Sequence, residues 1–261
     1  MFSIKRNQHE QTQASEGCVQ CRQRDELGFN FEFAYQPIVD LQHHTIYAHE
    51  ALVRGPNGEP SGTVLSHLTD ANLYRFDQAC RIKAIQGAAS LGIKERLSIN
   101  FMPNAVYRPE TCIRSTLNAA REMNFPTEKI IFEVNECEQI EDRPHLVAIF
   151  HEYKRLGFHT AIDDFGAGYA GLSLLSEFQP HVIKVDMQLV RGIGGNEAKQ
   201  SIVKGIIAMC NELGVAVLAE GIETAEERDF LFGAGVSLMQ GYLFCKPAFR
   251  AIGVVEASSW I

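Results

Sequence analysis

Eight short runs rich in β-branched and aromatic residues recur along the chain, and longer helical patterns separate most of them. Strand-like runs that alternate with helices are typical of parallel sheets whose strands are joined by crossover helices. Eight such runs predict an α/β fold of the (β/α)8 TIM-barrel type, and an open doubly wound sheet is the alternative. The runs are residues 31–39, 45–53, 96–101, 129–134, 158–163, 181–186, 215–220 and 236–240.

The first unit departs from this rhythm. Only residues 40–44 (DLQHH) lie between the first two runs. A connection this short suits a hairpin, whereas a crossover between parallel strands needs about a dozen residues or more. The first strand is therefore predicted to be irregular and antiparallel to its neighbour.

The composition narrows the classes of function. The 261-residue chain is 46% hydrophobic and 21% charged, which is ample for one large core. Its net charge is -8 and it has no basic stripe, which argues against binding DNA through a general electrostatic footprint. No apolar run approaches the roughly 18 residues of a membrane span, and the first residues do not resemble a signal peptide. A cytoplasmic location is therefore expected.

Residues 1–28 are predicted to form a polar, poorly ordered segment, and residues 29–261 to form the barrel. Cys18 and Cys21 make a C-x-x-C pattern in the first segment, which supplies half of a structural zinc site. Three interpretations stay open: an incidental pair, a zinc site completed by another subunit, and a redox switch. The chain has seven cysteines and no export signal, and this odd number indicates reduced thiols.

Polar residues gather where the predicted strands end. In a (β/α)8 barrel the chemistry takes place at the carboxyl ends of the strands. Side chains alternate along a strand, so Lys184 shares a face with Val182, and Glu220 shares a face with Leu218. The inward set is thus apolar below and charged at the top. The strand-end residues are Glu50, Asn100, Glu133, Asp163, Asp164, Lys184, Asp186, Glu220 and Gln240.

Five carboxylates in one small volume cannot all stay ionised without cations. Every candidate ligand here is an oxygen donor, which suits Mg²⁺ or Mn²⁺ better than zinc. The adjacent Asp163 and Asp164 can serve two ions, and paired ions about 3.5–4 Å apart recur in phosphoester cleavage. Lys184 and Arg54 would supply positive charge for phosphate oxygens. Each residue taken singly has another interpretation. Asp163 could cap a helix that begins near Gly171, and Lys184 could pair with Asp186 alone.

Seven short motifs follow one another along the chain. They are EALVR at 50–54, SINFMPNA at 98–105, FEVNE at 132–136, DDFGAG at 163–168, KVD at 184–186, AEGIE at 219–223 and QGYLFCKP at 240–247. In this order they resemble the motifs of the EAL-domain cyclic di-GMP phosphodiesterases. The resemblance spans about residues 31 to 249, and it implies metal-dependent hydrolysis of cyclic di-GMP to the linear dinucleotide pGpG.

The resemblance also implies a role for each matching residue. The catalytic group would be Lys184, Glu50, Asp163 and Asp164, with Lys184 contacting or helping to deprotonate the attacking water. One metal ion would be held by Glu50, Asn100, Glu133 and Asp163, and a second by Asp163, Asp164 and Glu220. Substrate contacts would come from Gln36, Arg54, Asp186 and Gln240. Loop support would come from Glu136 and Glu223.

The loop after the paired aspartates departs from the family pattern. Ala167 and Ala170 stand where the family often has Thr and Ser. Glu136 would then need another partner, such as backbone N–H groups, and we expect activity to survive. Family members commonly form homodimers, and the run GLSLLSEF (171–178) is a candidate contributor. No partner domain is visible, and the competing interpretation is a catalytically silent cyclic di-GMP receptor that acts through a protein partner.

Overall fold

We describe the protein from a computed structural model, which covers residues 27–136, 142–168 and 171–260. The Cys18–Cys21 pattern and most of the predicted N-terminal segment lie outside the described residues, as does Ala170, so the division at residue 28 stays a prediction. The β-rich runs form nine strands in one sheet. They are β1 Glu32–Asp40, β2 Thr45–Arg54, β3 Arg96–Asn100, β4 Ile130–Asn135, β5 His159–Phe165, β6 Val182–Val185, β7 Ala216–Ala219, β8 Leu238–Met239 and β9 Ala248–Phe249.

The sheet closes into a barrel of eight strands. Strands β2 to β8 are parallel and follow one another in chain order. Strand β1 lies between β8 and β2 and is antiparallel to both. The predicted barrel with an antiparallel first strand is therefore confirmed, and the open doubly wound alternative is wrong because β1 joins the two ends of the sheet. The ninth strand is a short addition that pairs with β1.

Helices follow most of the parallel strands, as the alternating pattern predicts. Gly92 follows the long helix α2 (Leu73–Leu91), and Gly214 follows helix α8 (Glu197–Leu213). Both glycines adopt the left-handed conformation that favours this residue. The side chain of Asn196 caps the start of α8 by accepting a hydrogen bond from the Lys199 N–H. The α-helices are α1 Ser61–Leu65, α2 Leu73–Leu91, α3 Pro109–Cys112, α4 Arg114–Glu122, α5 Arg143–Arg155, α6 Gly171–Glu177, α7 Met187–Val190, α8 Glu197–Leu213 and α9 Ala225–Gly233.

The barrel interior has an apolar layer directly below the polar rim. Seven buried aliphatic side chains, one from each of seven strands, form this layer. In each strand the layer residue and a polar rim residue are two positions apart, which puts both on the inner face. The layer is Ile38, Ala48, Ile131, Ala161, Val182, Leu218 and Leu238, and the rim residues in the same strand order are Gln36, Glu50, Glu133, Asp163, Lys184, Glu220 and Gln240.

A larger core lies between the outer face of the barrel and the surrounding helices, and it contains most of the aromatic side chains, such as Phe132 and Tyr153. Two apolar layers of this kind fix the strand ends firmly in space. Among the described helices, none combines the length and the apolar character that a membrane span requires.

Candidate active site

Lys184 is the centre of the polar rim. Its side chain is fully buried, with 0% of the residue exposed. The ammonium nitrogen lies 2.9 Å from carboxylate oxygens of Glu133, Asp163 and Glu220, and 3.5 Å from Glu50. These four carboxylates come from the ends of four different strands. The convergence predicted from strand parity is therefore present in the structure.

The buried charges shift one another's pKa values. Burial raises the pKa of Glu133 to about 8, although the Lys184 ammonium opposes the shift. Burial also raises the pKa of Glu220 well above its usual range. For Lys184, burial disfavours the ammonium, but the surrounding carboxylates outweigh it and raise its pKa. Burial disfavours ionisation of Asp163 as well, yet Lys184 and several hydrogen bonds lower its pKa. One ammonium is too little positive charge for this many carboxylates.

Two overlapping groups of carboxylates can each hold a cation. Each group offers three oxygens within 4.8 Å of one another, and Asp163 belongs to both. Clustered carboxylate oxygens with no cysteine or histidine among them fit a hard divalent cation. The groups are Glu50, Glu133 and Asp163, and Asp163, Asp164 and Glu220. The structure thus brings together the carboxylates that the resemblance assigns to each ion, and Asn100 adjoins the first group through its contact with Glu50.

The adjacent aspartates reach the same site because strand β5 is irregular there. Neighbouring side chains of a regular strand point to opposite faces. The pairing of β5 with β6 shifts register between Ile162 and Phe165, and Asp164 has a φ of 53°. The Asp164 N–H donates to the Asp163 carboxylate at 3.0 Å, and the Asn135 amide donates to the Asp164 carboxylate. This bulge turns both aspartates toward the rim.

A chain of amides orients Glu50. The Asn100 amide donates to one Glu50 oxygen at 3.1 Å, and the Gln240 amide donates to the other at 2.9 Å. Gln240 also donates to Gln36 at 3.1 Å, and Gln36 donates to the carbonyl of Cys245 at 3.0 Å. Among the described residues, the Gln240 Oε1 atom is buried without a hydrogen-bond partner. It is therefore an acceptor available to a ligand in the site.

Two clefts open beside the rim and meet at Leu52. The larger, of about 310 Å³, lies between the ends of β1 to β3 and helices α1 and α2, and it is mostly apolar. Arg54, Asn100 and Asn135 are among its few polar residues. The smaller, of about 270 Å³, contains most of the acidic rim. It is lined by Gln36, Glu50, Asp164, Glu220 and Gln240, together with Met187, Arg191, Glu223 and Tyr242.

Glu136 holds the loop after the paired aspartates. Its carboxylate accepts hydrogen bonds from the N–H groups of Gly166 at 2.7 Å, Gly168 at 3.3 Å and Gly171 at 2.7 Å. Backbone N–H groups are the partners expected for Glu136 because the sequence has alanine at position 170, where the family often has serine. The Gly171 N–H, at the start of helix α6, donates to Glu136 and not to Asp163. These contacts therefore do not support the alternative in which Asp163 caps helix α6.

Three further candidates have other contacts in this structure. Asp186 caps helix α7 by accepting from the Gln188 N–H at 2.9 Å, and it is not among the ion-pair partners of Lys184. The Arg54 guanidinium donates to the Val53 carbonyl at 2.8 Å, at the edge of the larger cleft. Glu223 is exposed and pairs with Arg191 across the smaller cleft.

Ser98 and Asn135 are two rim contacts that the sequence reasoning missed. The Ser98 hydroxyl is buried and donates to Glu133, while Asn135 donates to Asp164. Both lie two positions from a rim residue of their own strand, Asn100 and Glu133. Strand parity could have identified them, but a neutral serine or asparagine carries no charge signal of its own.

This geometry defines a class of barrel protein: an eight-stranded α/β barrel with one antiparallel strand and an acidic rim around a buried lysine. The family model described as the EAL domain matches residues 21–247. The chain belongs to the EAL domain family, and the resemblance drawn from the seven motifs is confirmed.

Individual relatives agree with this assignment. The blue light- and temperature-regulated antirepressor BluF of Escherichia coli K12 is 34% identical over 85% of this chain and 56% of its own length. The cyclic di-GMP phosphodiesterase PdeR of the same strain is 34% identical over 60% of this chain and 23% of its own length. The chain thus spans about half or less of these curated relatives.

Solved structures resemble the whole barrel. A standalone versatile EAL protein from Vibrio cholerae O395, in a c-di-GMP-bound form, is 49% identical with a TM-score of 0.87, over 90% of this chain and 99% of that chain. The manganese and cyclic di-GMP complex of Klebsiella pneumoniae BlrP1 at pH 9.0 is 35% identical with a TM-score of 0.81, over 87% of this chain and 58% of that chain.

Proposed function

We propose that the protein hydrolyses cyclic di-GMP to linear pGpG with the help of two divalent cations. The observation that carries the proposal is the pair of carboxylate groups that share Asp163 and surround Lys184. Relatives named as cyclic di-GMP phosphodiesterases, and a structural relative titled as a manganese and cyclic di-GMP complex, support it.

The proposed cations are Mg²⁺ or Mn²⁺, which prefer oxygen ligands. Bound at these groups, they would supply the positive charge that activates water and neutralises phosphate oxygens in phosphoester cleavage. The first would be held by Glu50, Asn100, Glu133 and Asp163, and the second by Asp163, Asp164 and Glu220.

The protein's own residues would orient the reactants. Lys184, whose nitrogen lies 2.9 Å from Asp163 in the middle of the rim, would contact the attacking water and stabilise charge on the phosphate. The unpartnered Gln240 Oε1 would accept a hydrogen bond from the water or the substrate, and Gln36 would keep Gln240 in place. Arg54, at the edge of the larger cleft, would bind a phosphate oxygen.

The two clefts suit a ligand with two lobes. They lie on either side of Leu52, with Glu50 and the acidic rim below. A cyclic dinucleotide has two nucleosides joined by two phosphates, so one nucleoside in each cleft would leave a phosphate above the carboxylates. The mostly apolar larger cleft would cover a base, and the smaller would contain the reacting phosphate.

A receptor without turnover is the second candidate. One observation favours it: BluF, 34% identical over 85% of this chain, is named an antirepressor. Such a protein would bind cyclic di-GMP and signal through a protein partner. All the carboxylates and the lysine of the proposed site are present here, which favours the enzyme.

Product analysis tests the proposal directly. Purified protein is incubated with cyclic di-GMP and Mg²⁺ or Mn²⁺, and the nucleotides are separated by chromatography. We expect pGpG to accumulate, and we expect no pGpG to form when EDTA is present from the start. Tight binding of intact cyclic di-GMP with both metals, without cleavage, would favour the receptor.

We also propose that the protein is a homodimer in solution. The support is that helix α6, the run that the sequence analysis named as a candidate contributor, exposes 65% of Leu172. Sedimentation should give a dimer that Leu172→Glu dissociates. A monomer with and without cyclic di-GMP would contradict this proposal.

A further inference from the structure

A buried ion pair lies beneath the larger cleft. Asp77 and Arg81, on helix α2, are 2% and 0% exposed, and their charged groups are 2.6 Å apart. Arg81 also donates to the hydroxyl of the buried Tyr153 at 2.6 Å. Its guanidinium lies 5.2–5.6 Å from the ring centres of Phe101, Phe132 and Tyr153. The pair is thus enclosed by aromatic side chains between α2 and the barrel wall.

Stability alone is a weak reason for such a pair. Removing two charges from water costs several kcal/mol per ion, and apolar residues of similar volume often replace a buried pair without loss of stability. The geometry that the pair imposes is therefore of more interest than its energy. Asp77 has a second oxygen, and this oxygen contacts the chain outside the pair.

The second oxygen of Asp77 anchors the chain where it leaves strand β3. It accepts a hydrogen bond from the Met102 N–H at 2.9 Å. Met102 is two residues beyond Asn100, the last residue of the strand, whose amide orients Glu50. Asp77, Asn100 and Met102 also line the larger cleft together. A contact at Met102 therefore fixes both the cleft wall and the residue that approaches the first carboxylate group.

We propose that Asp77 is a positioning residue, which through Met102 holds Asn100 and the wall of the larger cleft in the geometry that binds a cation and a ligand. Arg81 and the aromatic rings lock Asp77 in turn. This inference rests on the proposed function, because it concerns the same site. It adds a residue on a helix, outside all seven motifs, to the set that determines cation and substrate affinity.

Two double variants isolate the contact with Met102. Both remove both charges, so neither leaves a buried ion without its partner. Asp77→Leu with Arg81→Met offers no acceptor to the Met102 N–H, whereas Asp77→Asn with Arg81→Met retains an oxygen for it. We expect the Leu variant to lose about 10- to 100-fold in Mn²⁺ affinity, the range for outer contacts of a metal ligand, and to raise KM for cyclic di-GMP. The Asn variant should lose less Mn²⁺ affinity than the Leu variant and show a lower KM than it.

Calorimetric titration with Mn²⁺ alone measures the affinity, and thermal unfolding in EDTA measures stability separately. Equal Mn²⁺ affinity and KM in the two folded variants would overturn the inference. Absence of Mn²⁺ binding by the wild type would instead overturn the proposed function, so the two failures are distinguishable.

Hydrogen exchange gives a measurement on the wild type that does not depend on whether a variant folds. If Met102 and the first carboxylate group are coupled, Mn²⁺ must slow exchange of the Met102 amide, because linkage acts in both directions. Unchanged exchange of Met102 at saturating Mn²⁺ would contradict the proposed coupling.

Discussion

At the scale of single residues, Lys184 and Asp163 have complementary electrostatic roles in the rim. Lys184 is the buried cation that four carboxylates approach, and Asp163 is the carboxylate that both candidate cation groups share. In the free protein the Lys184 ammonium offsets part of the repulsion among the rim carboxylates, and divalent ions would offset more of it. Substituting each residue in turn separates the two roles.

Asp163→Asn keeps the size of the side chain but removes the shared negative charge. We expect kcat to fall by more than about 100-fold, because loss of a direct ligand should exceed the loss typical of outer contacts. Cyclic di-GMP should still bind, since both clefts are intact. Turnover assays together with titration calorimetry for the nucleotide and for Mn²⁺ would measure both effects. Near-normal turnover would be inconsistent with a shared ligand.

Lys184→Ala leaves buried carboxylates without their cation. Breaking a buried pair in this way costs about 3–5 kcal/mol, so we expect a large fall of Tm in EDTA. Saturating Mn²⁺ should restore much of this loss, since an ion that binds only the folded state stabilises it. Turnover should fall more than metal occupancy does. If the variant binds no Mn²⁺ at all, Lys184 has a structural role and the proposed one is wrong.

At the scale of elements, the rim depends on a bulge and a loop that lie outside regular structure. The bulge in β5 aims Asp164, and Glu136 at the end of β4 fixes the loop by bonding three backbone N–H groups. Glu136 sits on one strand and the glycines follow the next. A residue at the end of β4 thus fixes the conformation of the loop that follows β5.

Glu136→Ala should loosen this loop without unfolding the barrel. The N–H groups of Gly166 and Gly171 lose their acceptor, and leaving the buried Gly171 donor unpaired costs about 1–3 kcal/mol. We expect faster hydrogen exchange at Gly166, Gly168 and Gly171, with a fall in kcat of about 10- to 100-fold. Glu136→Gln retains one carbonyl acceptor and should lie between the wild type and the alanine variant. Unaltered exchange at the three glycines would show that other contacts hold the loop.

The strand elements could be predicted because their signals are local. Their β-branched and aromatic content located the eight runs, and alternation along each run gave the face that carries Lys184 and Glu220. The run at 236–240 was predicted too long, since only Leu238–Met239 is strand. The contacts of Asp164 with Asn135 and of Asp77 with Met102 join residues distant in sequence, so no local pattern could indicate them. The resemblance supplied the assignment of roles, which periodicity could not.

At the scale of the whole molecule, the two ends of the barrel carry different titratable groups. The rim at the carboxyl ends of the strands is acidic around Lys184. At the other end, His159 and His181 stack with ring centres 4.3 Å apart, and Arg96 begins strand β3 nearby. The His181 Nδ1 atom accepts the Thr160 N–H at 3.1 Å, which requires an unprotonated nitrogen.

Acid should therefore weaken the fold at this end. Burial, with help from His159 and Lys154, lowers the pKa of His181 to about 4, whereas the unfolded value is about 6.5. Because the unfolded chain binds the proton more readily, stability is lost as pH falls from about 6.5 toward 4. After allowance for solvent screening, the loss from this residue should be about 1–2 kcal/mol.

His181→Asn keeps an acceptor for Thr160 and cannot be protonated in this range. Urea unfolding at several pH values should show that, below pH 6.5, the free energy of unfolding falls less for this variant than for the wild type. His67→Asn, at an exposed position, serves as the matched control and should follow the wild-type curve. Parallel curves for His181→Asn and the wild type would show that the stacked pair does not contribute to acid sensitivity.

The direction of β1 determines where the polypeptide enters the barrel. In an all-parallel barrel the first strand starts at the end remote from the chemistry. Here β1 runs the other way, so its first residues lie at the rim, where Phe29 and Phe31 pack on Phe76 of helix α2 beside the larger cleft. The chain therefore enters the barrel beside the larger cleft. A fusion or tag joined upstream of β1 would be attached at the rim, whereas on an all-parallel barrel it would be attached at the far end.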